Sequence, residues 1–203
     1  MSFTIPTQTP AAGLVIPSAT YGVQLKDTCT ALNAGFHVPL FPRSSGIVAA
    51  SGLQGAGFLT VQSSGAGTIK PEYPVLAFDK DTDEGRIWND TLHRLYASTM
   101  TLNFAFYMPT VTSGTVVMSA QIACWSDTDT SASAKVFAAA NSCAAITVPA
   151  AALKVAVGSI TMTNADSAAA IDKFSLALFR DVSEDTAAED VYLIRADLFF
   201  NLS

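Results

Sequence analysis

Residues 174–180 read Phe174-Ser175-Leu176-Ala177-Leu178-Phe179-Arg180, and residues 190–200 read Asp190-Val191-Tyr192-Leu193-Ile194-Arg195-Ala196-Asp197-Leu198-Phe199-Phe200, with a polar run over 181–189 between them. Side chains of a pleated strand alternate between two faces, so period two in an apolar run signals sheet. In the second run Tyr192, Ile194, Ala196, Leu198 and Phe200 fall on one face, and Val191, Leu193, Arg195, Asp197 and Phe199 fall on the other. A closing strand with this pattern belongs well inside a sheet. Its second face mixes three apolar residues with Arg195 and Asp197, as expected of a surface covered by a neighbouring subunit or by another segment of the chain. The run between the strands, with the pairs Glu184-Asp185 and Glu189-Asp190, reads as the solvated tip of a hairpin whose base Arg180 and Asp190 close.

The same alternation recurs upstream. Residues 99–108 place Leu102, Phe104 and Phe106 together before Pro109 stops the strand; after Thr112-Ser113-Gly114, residues 115–125 align Val116, Met118, Ala120, Ile122 and Cys124. These two runs are expected to pair as a hairpin. Residues 74–78, 135–139, 144–148, 153–162 and 172–180 add candidate strands. Residues 86–97, with Trp88, Leu92 and Leu95 at helical spacing, are the one stretch that reads as a helical turn or two. About eight strands separated by turn-forming loops predict an all-β protein, an antiparallel β-sandwich or jelly roll. Parallel α/β architecture is disfavoured because no strong helix alternates with the strands.

Charge divides the chain. Only 14% of the 203 residues are charged, against about 25% in an average soluble domain. Residues 1–70 hold just Lys26, Asp27, Arg43 and Lys70, while Pro6, Pro10, Pro17, Pro39 and Pro42 fix extended geometry. The expected division is therefore an extended, charge-poor N-terminal arm over 1–70, which anchors or makes oligomer contacts, and a sandwich over 71–203. Short edge strands fit residues 21–25 and 57–62 of the arm. The apolar excess fits surface covered by other subunits, or simply a β-protein whose Ala and Gly inflate the count. A net charge of −6 disfavours nucleic acid as a partner, since phosphate binding needs clustered Lys and Arg. Apolar stretches fall short of the roughly 18 residues a membrane span needs, and the start of the sequence lacks the basic and apolar regions of a signal peptide. Synthesis and assembly in a cytoplasm are expected.

No catalytic, cofactor-binding or metal residue is predicted, and the chain is not expected to be an enzyme. Cys29, Cys124 and Cys143 match neither a disulfide framework nor a zinc site, and read as structural. His37 and His93 lie in no recognisable motif. The loop Asp79-Lys80-Asp81-Thr82-Asp83-Glu84-Gly85 has the alternating acids of a calcium loop, but glycine comes one place late and Asp90 stands where a bidentate glutamate is needed. It reads as a solvated acidic turn. The acid pairs at 184–185 and 189–190 share one turn instead of facing each other across a cleft, as glycoside hydrolysis would require. Trp88, Trp125, Tyr96 and Tyr107 fit either a core or a sugar-stacking platform, and Trp125, at a strand end beside Ser126-Asp127-Thr128-Asp129, is the one expected at the surface.

Six short elements occur in a telling order: Leu76-Ala77-Phe78-Asp79, Met108-Pro109, Ser113-Gly114, Cys124-Trp125, Arg180-Asp181 and Asp190-Val191-Tyr192-Leu193. In this order residues 74–203 resemble a jelly-roll structural protein widespread in tailed bacteriophages and prophages. The resemblance implies a non-enzymatic virion component: a capsid decoration or cement protein, a head fibre or a tail-associated subunit. Its partners would be itself, as a homotrimer, and capsid or tail proteins, with no nucleic acid, membrane or cofactor. Residues 84–97 depart from the family pattern as an insertion, and the arm before residue 70 has no counterpart in it. The competing expectation is a glycan-binding module, such as a host-receptor-binding tip, because fold does not fix function.

Overall fold

The computed structural model describes residues 36–40, 54–127, 129 and 131–202. The expected strand over 21–25, Cys29 and much of the expected arm lie outside the described residues. Within them the alternating runs become strands, while the strand expected over 135–139 does not form: those residues follow a 3-10 turn without joining either sheet as a strand. The strands are β1 Phe36–Pro39, β2 Gln54–Gly55, β3 Gly57–Gln62, β4 Glu72–Phe78, β5 Glu84–Thr91, β6 Tyr96–Tyr107 and β7 Thr115–Val116. There follow β8 Met118–Trp125, β9 Asn141–Ser142, β10 Ile146–Thr147, β11 Ala156–Met162, β12 Lys173–Arg180 and β13 Val191–Leu202. The expected all-β sandwich is what the chain forms, and a 3-10 turn at Ala132–Ala134 is the helical element among the described residues.

One large sheet runs β11-β6-β13-β4-β3, with β1 also on β13, a second runs β2-β5-β12-β8-β9, and β7 pairs with β10 in a two-stranded sheet. Pairing is antiparallel except for β2 against β5. The long strands interleave. Going along the chain, β4, β6, β11 and β13 enter the first sheet, while β5, β8, β9 and β12 enter the second. Between the sheets Phe78, Leu102, Phe104 and Phe106 meet Met118, Ile122, Phe174, Leu176 and Leu178, all essentially without solvent exposure. Burial of such side chains stabilises by about 1.5–3 kcal/mol each. Three strands from the segment expected as an arm, β1, β2 and β3, are hydrogen-bonded into these sheets. The edge strand expected over 57–62 is β3.

Both expected hairpins are absent. β6 and β8 lie in opposite sheets, and so do β12 and β13. Period-two alternation determines which face of a strand is buried and leaves its lateral neighbour open. The connections over 108–114 and 181–190 exceed the two to five residues of ordinary hairpins and carry the chain across the sandwich. The helical expectation over 86–97 also fails. Residues 84–91 form β5, whose ladder with β12 places Trp88 opposite Leu176 in the core. That pairing overrides the helical spacing of Trp88, Leu92 and Leu95.

The last strand corrects its own reading. Leu193 sits opposite Phe106 and Arg195 opposite Ala105, so Ile194 is an extra residue in a β-bulge. A bulge reverses which face each later residue occupies. The buried set is therefore Val191, Leu193, Ala196, Leu198 and Phe200, and the other face loses two of its three apolar residues to the core. Tyr107 and Tyr192, opposite each other in the β6–β13 ladder, pack edge to face at 5.5 Å. Burial first, then the neighbouring Tyr73 phenol, pushes the Tyr107 phenol above its ordinary range.

Candidate functional site

The two ends of β12 organise different chemistry. At its C-terminal end, the alternation that buries Phe174, Leu176 and Leu178 also puts Arg180 on the core face, fully buried. A buried guanidinium needs its five donors satisfied. Nε donates to Asp185 Oδ2 at 2.6 Å, and Nη2 donates to Asp185 Oδ1 at 3.3 Å and to the Ala187 carbonyl at 2.9 Å. Nη1 donates to the carbonyls of Glu189 at 2.8 Å, Asp79 at 3.2 Å and Phe78 at 3.4 Å. The Asp185 side chain is 3% exposed. The expected partner, Asp190, instead accepts the Lys80 N–H. So the run over 181–189 is no solvated tip; it folds around a buried ion pair.

Neighbouring loops are tied to the same end. Glu189 accepts the N–H groups of Thr110 and Val111, each at 2.8 Å, and the Thr110 hydroxyl at 2.7 Å. Burial would raise its carboxyl, but these three donors outweigh it and hold the group below its ordinary value of 4.5. Stabilisation from a carboxylate lowered in the folded state is present above 4.5 and is lost as pH falls through the folded value. Glu189→Gln should therefore cost about 1–2 kcal/mol at pH 7, the size of a lost charged cap. The difference from wild type should shrink towards pH 3, as read from urea midpoints at both pH values.

Three of the four acids of the 79–85 loop are spent on backbone. Asp79 accepts the Asp81 N–H at 2.7 Å, Glu84 accepts the Asp79 N–H at 2.8 Å, and Asp83 accepts the Val182 N–H at 2.9 Å. Lys80 pairs with Asp81. Among the described residues no group of three or more His, Cys, Asp or Glu side chains is placed to hold a metal ion.

At the N-terminal end of β12 a cavity of about 630 Å³ opens between the end of β8 and the loop before β12, lined by Trp125, Asp127, Asp129, Lys135, Asp166 and Asp172 among others. Lys135 Nζ lies 3.0 Å from Asp166 Oδ2 and 3.3 Å from Asp129 Oδ2. Those same oxygens accept the N–H groups of Cys124 at 2.7 Å and Ser126 at 3.0 Å. The hydrogen bond to Asp166, opposed by burial and helped by Asp129, raises the Lys135 ammonium. Asp129 is held low, chiefly by the Ser126 N–H. Burial, then the charges of Asp166 and Asp172, push the Cys124 thiol up to about 12, so it stays protonated and unreactive. The wall is held in unusual backbone: Asp166, Ser167 and Ile171 have φ of 51°, 55° and 67°. For β-branched Ile171 this is a real departure from preference.

Of the candidate aromatics, Trp88 and Tyr107 are buried, Tyr96 packs edge-on against Phe200 at 5.6 Å, and Trp125 lines the cavity. His93 accepts the Leu95 N–H through Nδ1 in the turn after β5. Cys143 accepts the Met118 N–H at 3.3 Å. Sequence reasoning put Arg180 at the base of a hairpin with Asp190, not in the core with Asp185, and missed the 163–171 wall. For Arg180 the signal was present, a charged residue continuing the core parity of its strand; for the wall there was none. Searches of protein-family models and of curated proteins find no match to this chain.

Proposed function

We propose that this chain is a non-enzymatic structural subunit of a tailed-bacteriophage virion, a decoration or cement protein, head fibre or tail-associated protein with a jelly-roll body. It acts through contacts with copies of itself, as a homotrimer, and with capsid or tail proteins, and it is assembled in the host cytoplasm. The strand order supports the body. Orders β4-β13-β6-β11 and β5-β12-β8-β9, four strands from each of the two large sheets, interleave in the arrangement two Greek keys give.

The observation that carries assembly is the edge strand β11. Its seven residues contain no charge and no proline, and Val157 is 67% exposed, with Leu153 and Val155 exposed beside it. Edge strands of monomers are ordinarily blunted by charge, proline or bulges. An uncharged edge strand with Val157 bare on it and Val155 bare just before it, beyond the single charge of Lys154, is the kind of surface that a neighbouring subunit covers.

Two measurements test the reading. The purified chain should sediment as a trimer at micromolar concentration, and Val157→Lys should shift it to monomer while leaving the circular dichroism spectrum unchanged. A wild-type monomer at all concentrations would sink the assembly claim. Particles made without the chain should take it up at fixed stoichiometry when it is added back, and failure to bind would remove the virion reading.

A further inference from the structure

The cavity at the N-terminal end of β12 has the chemistry of a ligand site. Its volume of about 630 Å³ falls within the roughly 300–1,000 Å³ of small-molecule pockets. Asp172 is 7% exposed overall, and its Oδ2 accepts the Ala169 N–H at 2.9 Å. Its Oδ1 has no donor among the described residues, yet none of their side-chain oxygens sealed from solvent lacks a partner, so Oδ1 opens on the cavity it lines. Asp129 and Asp166 likewise bond through Oδ2, and no donor among the described residues reaches their Oδ1 atoms. Lys135 Nζ, with two of its three N–H groups on Asp129 and Asp166, has one left to donate between them. Trp125 and Ile171, which is 70% exposed, add apolar surface to the same wall.

We propose that this cavity binds a pyranose sugar that carries no acidic group. A pyranose presents an apolar C–H face, which packs on an indole ring, and a rim of hydroxyls that both donate and accept. Here the acceptors are carboxylate oxygens and the donor is an ammonium, the pattern a hydroxyl rim satisfies. Charge sets the specificity: four aspartates face one lysine, a formal −3, which repels uronic and sialic acids and tolerates neutral or amino sugars. The left-handed residues Asp166, Ser167 and Ile171 hold the carboxylates in place without the sugar, at a cost to folding.

This inference is independent of assembly; a trimer that binds no sugar overturns it alone. The test uses the full chain and methyl glycosides of glucose, galactose, mannose, N-acetylglucosamine and glucosamine, with methyl glucuronide and spermidine as contrasts. Tryptophan fluorescence reports on the site because Trp88 is 2% exposed, leaving Trp125 as the responsive ring, and calorimetry repeats the titration. At least one neutral or amino sugar should bind saturably with a dissociation constant on the order of 1–10 mM, the range ordinary binding per atom allows a ligand this small. Methyl glucuronide should bind at least about tenfold more weakly. Trp125→Ala should abolish binding. Asp172→Asn, which keeps the side-chain shape but turns the free acceptor into a donor, should weaken it about tenfold or more. No saturation by any sugar at about 100 mM, binding untouched by both variants, glucuronide binding as tight as the neutral sugars, or saturation by spermidine alone would each overturn the proposal.

Discussion

Arg180→Ala should destabilise the chain by about 3–5 kcal/mol, the cost of removing one partner of a buried ion pair. For a chain of this size that corresponds to a melting temperature lower by roughly 10 °C. The loss has two parts. Asp185, 3% exposed, becomes an uncompensated buried carboxylate. The carbonyls of Phe78, Asp79, Ala187 and Glu189 also lose a donor at once. The parts can be separated. Replacing both charges, as Arg180→Met with Asp185→Leu, removes the stranded charge and should recover part of the loss, since apolar pairs of similar volume often substitute well for buried ion pairs. Recovery should be incomplete, because no methionine can serve four carbonyls. Urea unfolding of both variants measures the difference, and full recovery in the double variant would show that the carbonyl contacts contribute nothing.

The same residue shows what the sequence could and could not say. Alternation over 174–180 identified the strand, and read through to its faces it would have placed Arg180 in the core beside Leu178. Charge prompted the opposite reading, because arginine is almost never fully buried unless paired. Its partner is five residues on, in a loop with no periodicity to show which of its four acids turns inward. The bulge at Ile194 was hidden for a related reason. A run apolar on both faces, such as Val191-Tyr192-Leu193-Ile194, looks alike before and after a one-residue slip, so only the ladder with β6 fixes the parity. Strand neighbours failed for want of any local signal at all. The cavity is half legible: Trp125 at a strand end beside a polar loop pointed to a surface aromatic. Asp166 and Asp172 reach it from some 40 residues away along the chain, through backbone geometry that composition does not encode.

Gly114→Ala is expected to destabilise the chain by about 2–5 kcal/mol. The Ser113-Gly114 turn marks glycine as a residue free to bend, but its surroundings demand more than that. Its φ is +96°, a region that other residues enter only with strain. An added Cβ would lie 2.9 Å from both Ala187 Cα and the Thr186 carbonyl oxygen, and 3.1 Å from the Ala187 nitrogen. These are backbone atoms, and they cannot turn aside as a side chain would. They are also fixed: the Thr115 carbonyl accepts the N–H groups of Thr186 and Ala187 at 3.0 and 3.1 Å, and the Thr115 N–H donates to the Thr186 hydroxyl at 2.9 Å. Because Ala187 is in turn held by Arg180, a shift there should propagate to the buried ion pair, and the two substitutions should combine less than additively. Gly57→Ala is the control. It lies in β3 with no contact closer than 3.8 Å for the new methyl group, so its urea midpoint should stay within about 0.5 kcal/mol of wild type. A Gly114→Ala protein as stable as that control would mean that the 108–114 and 181–190 loops do not pack backbone against backbone.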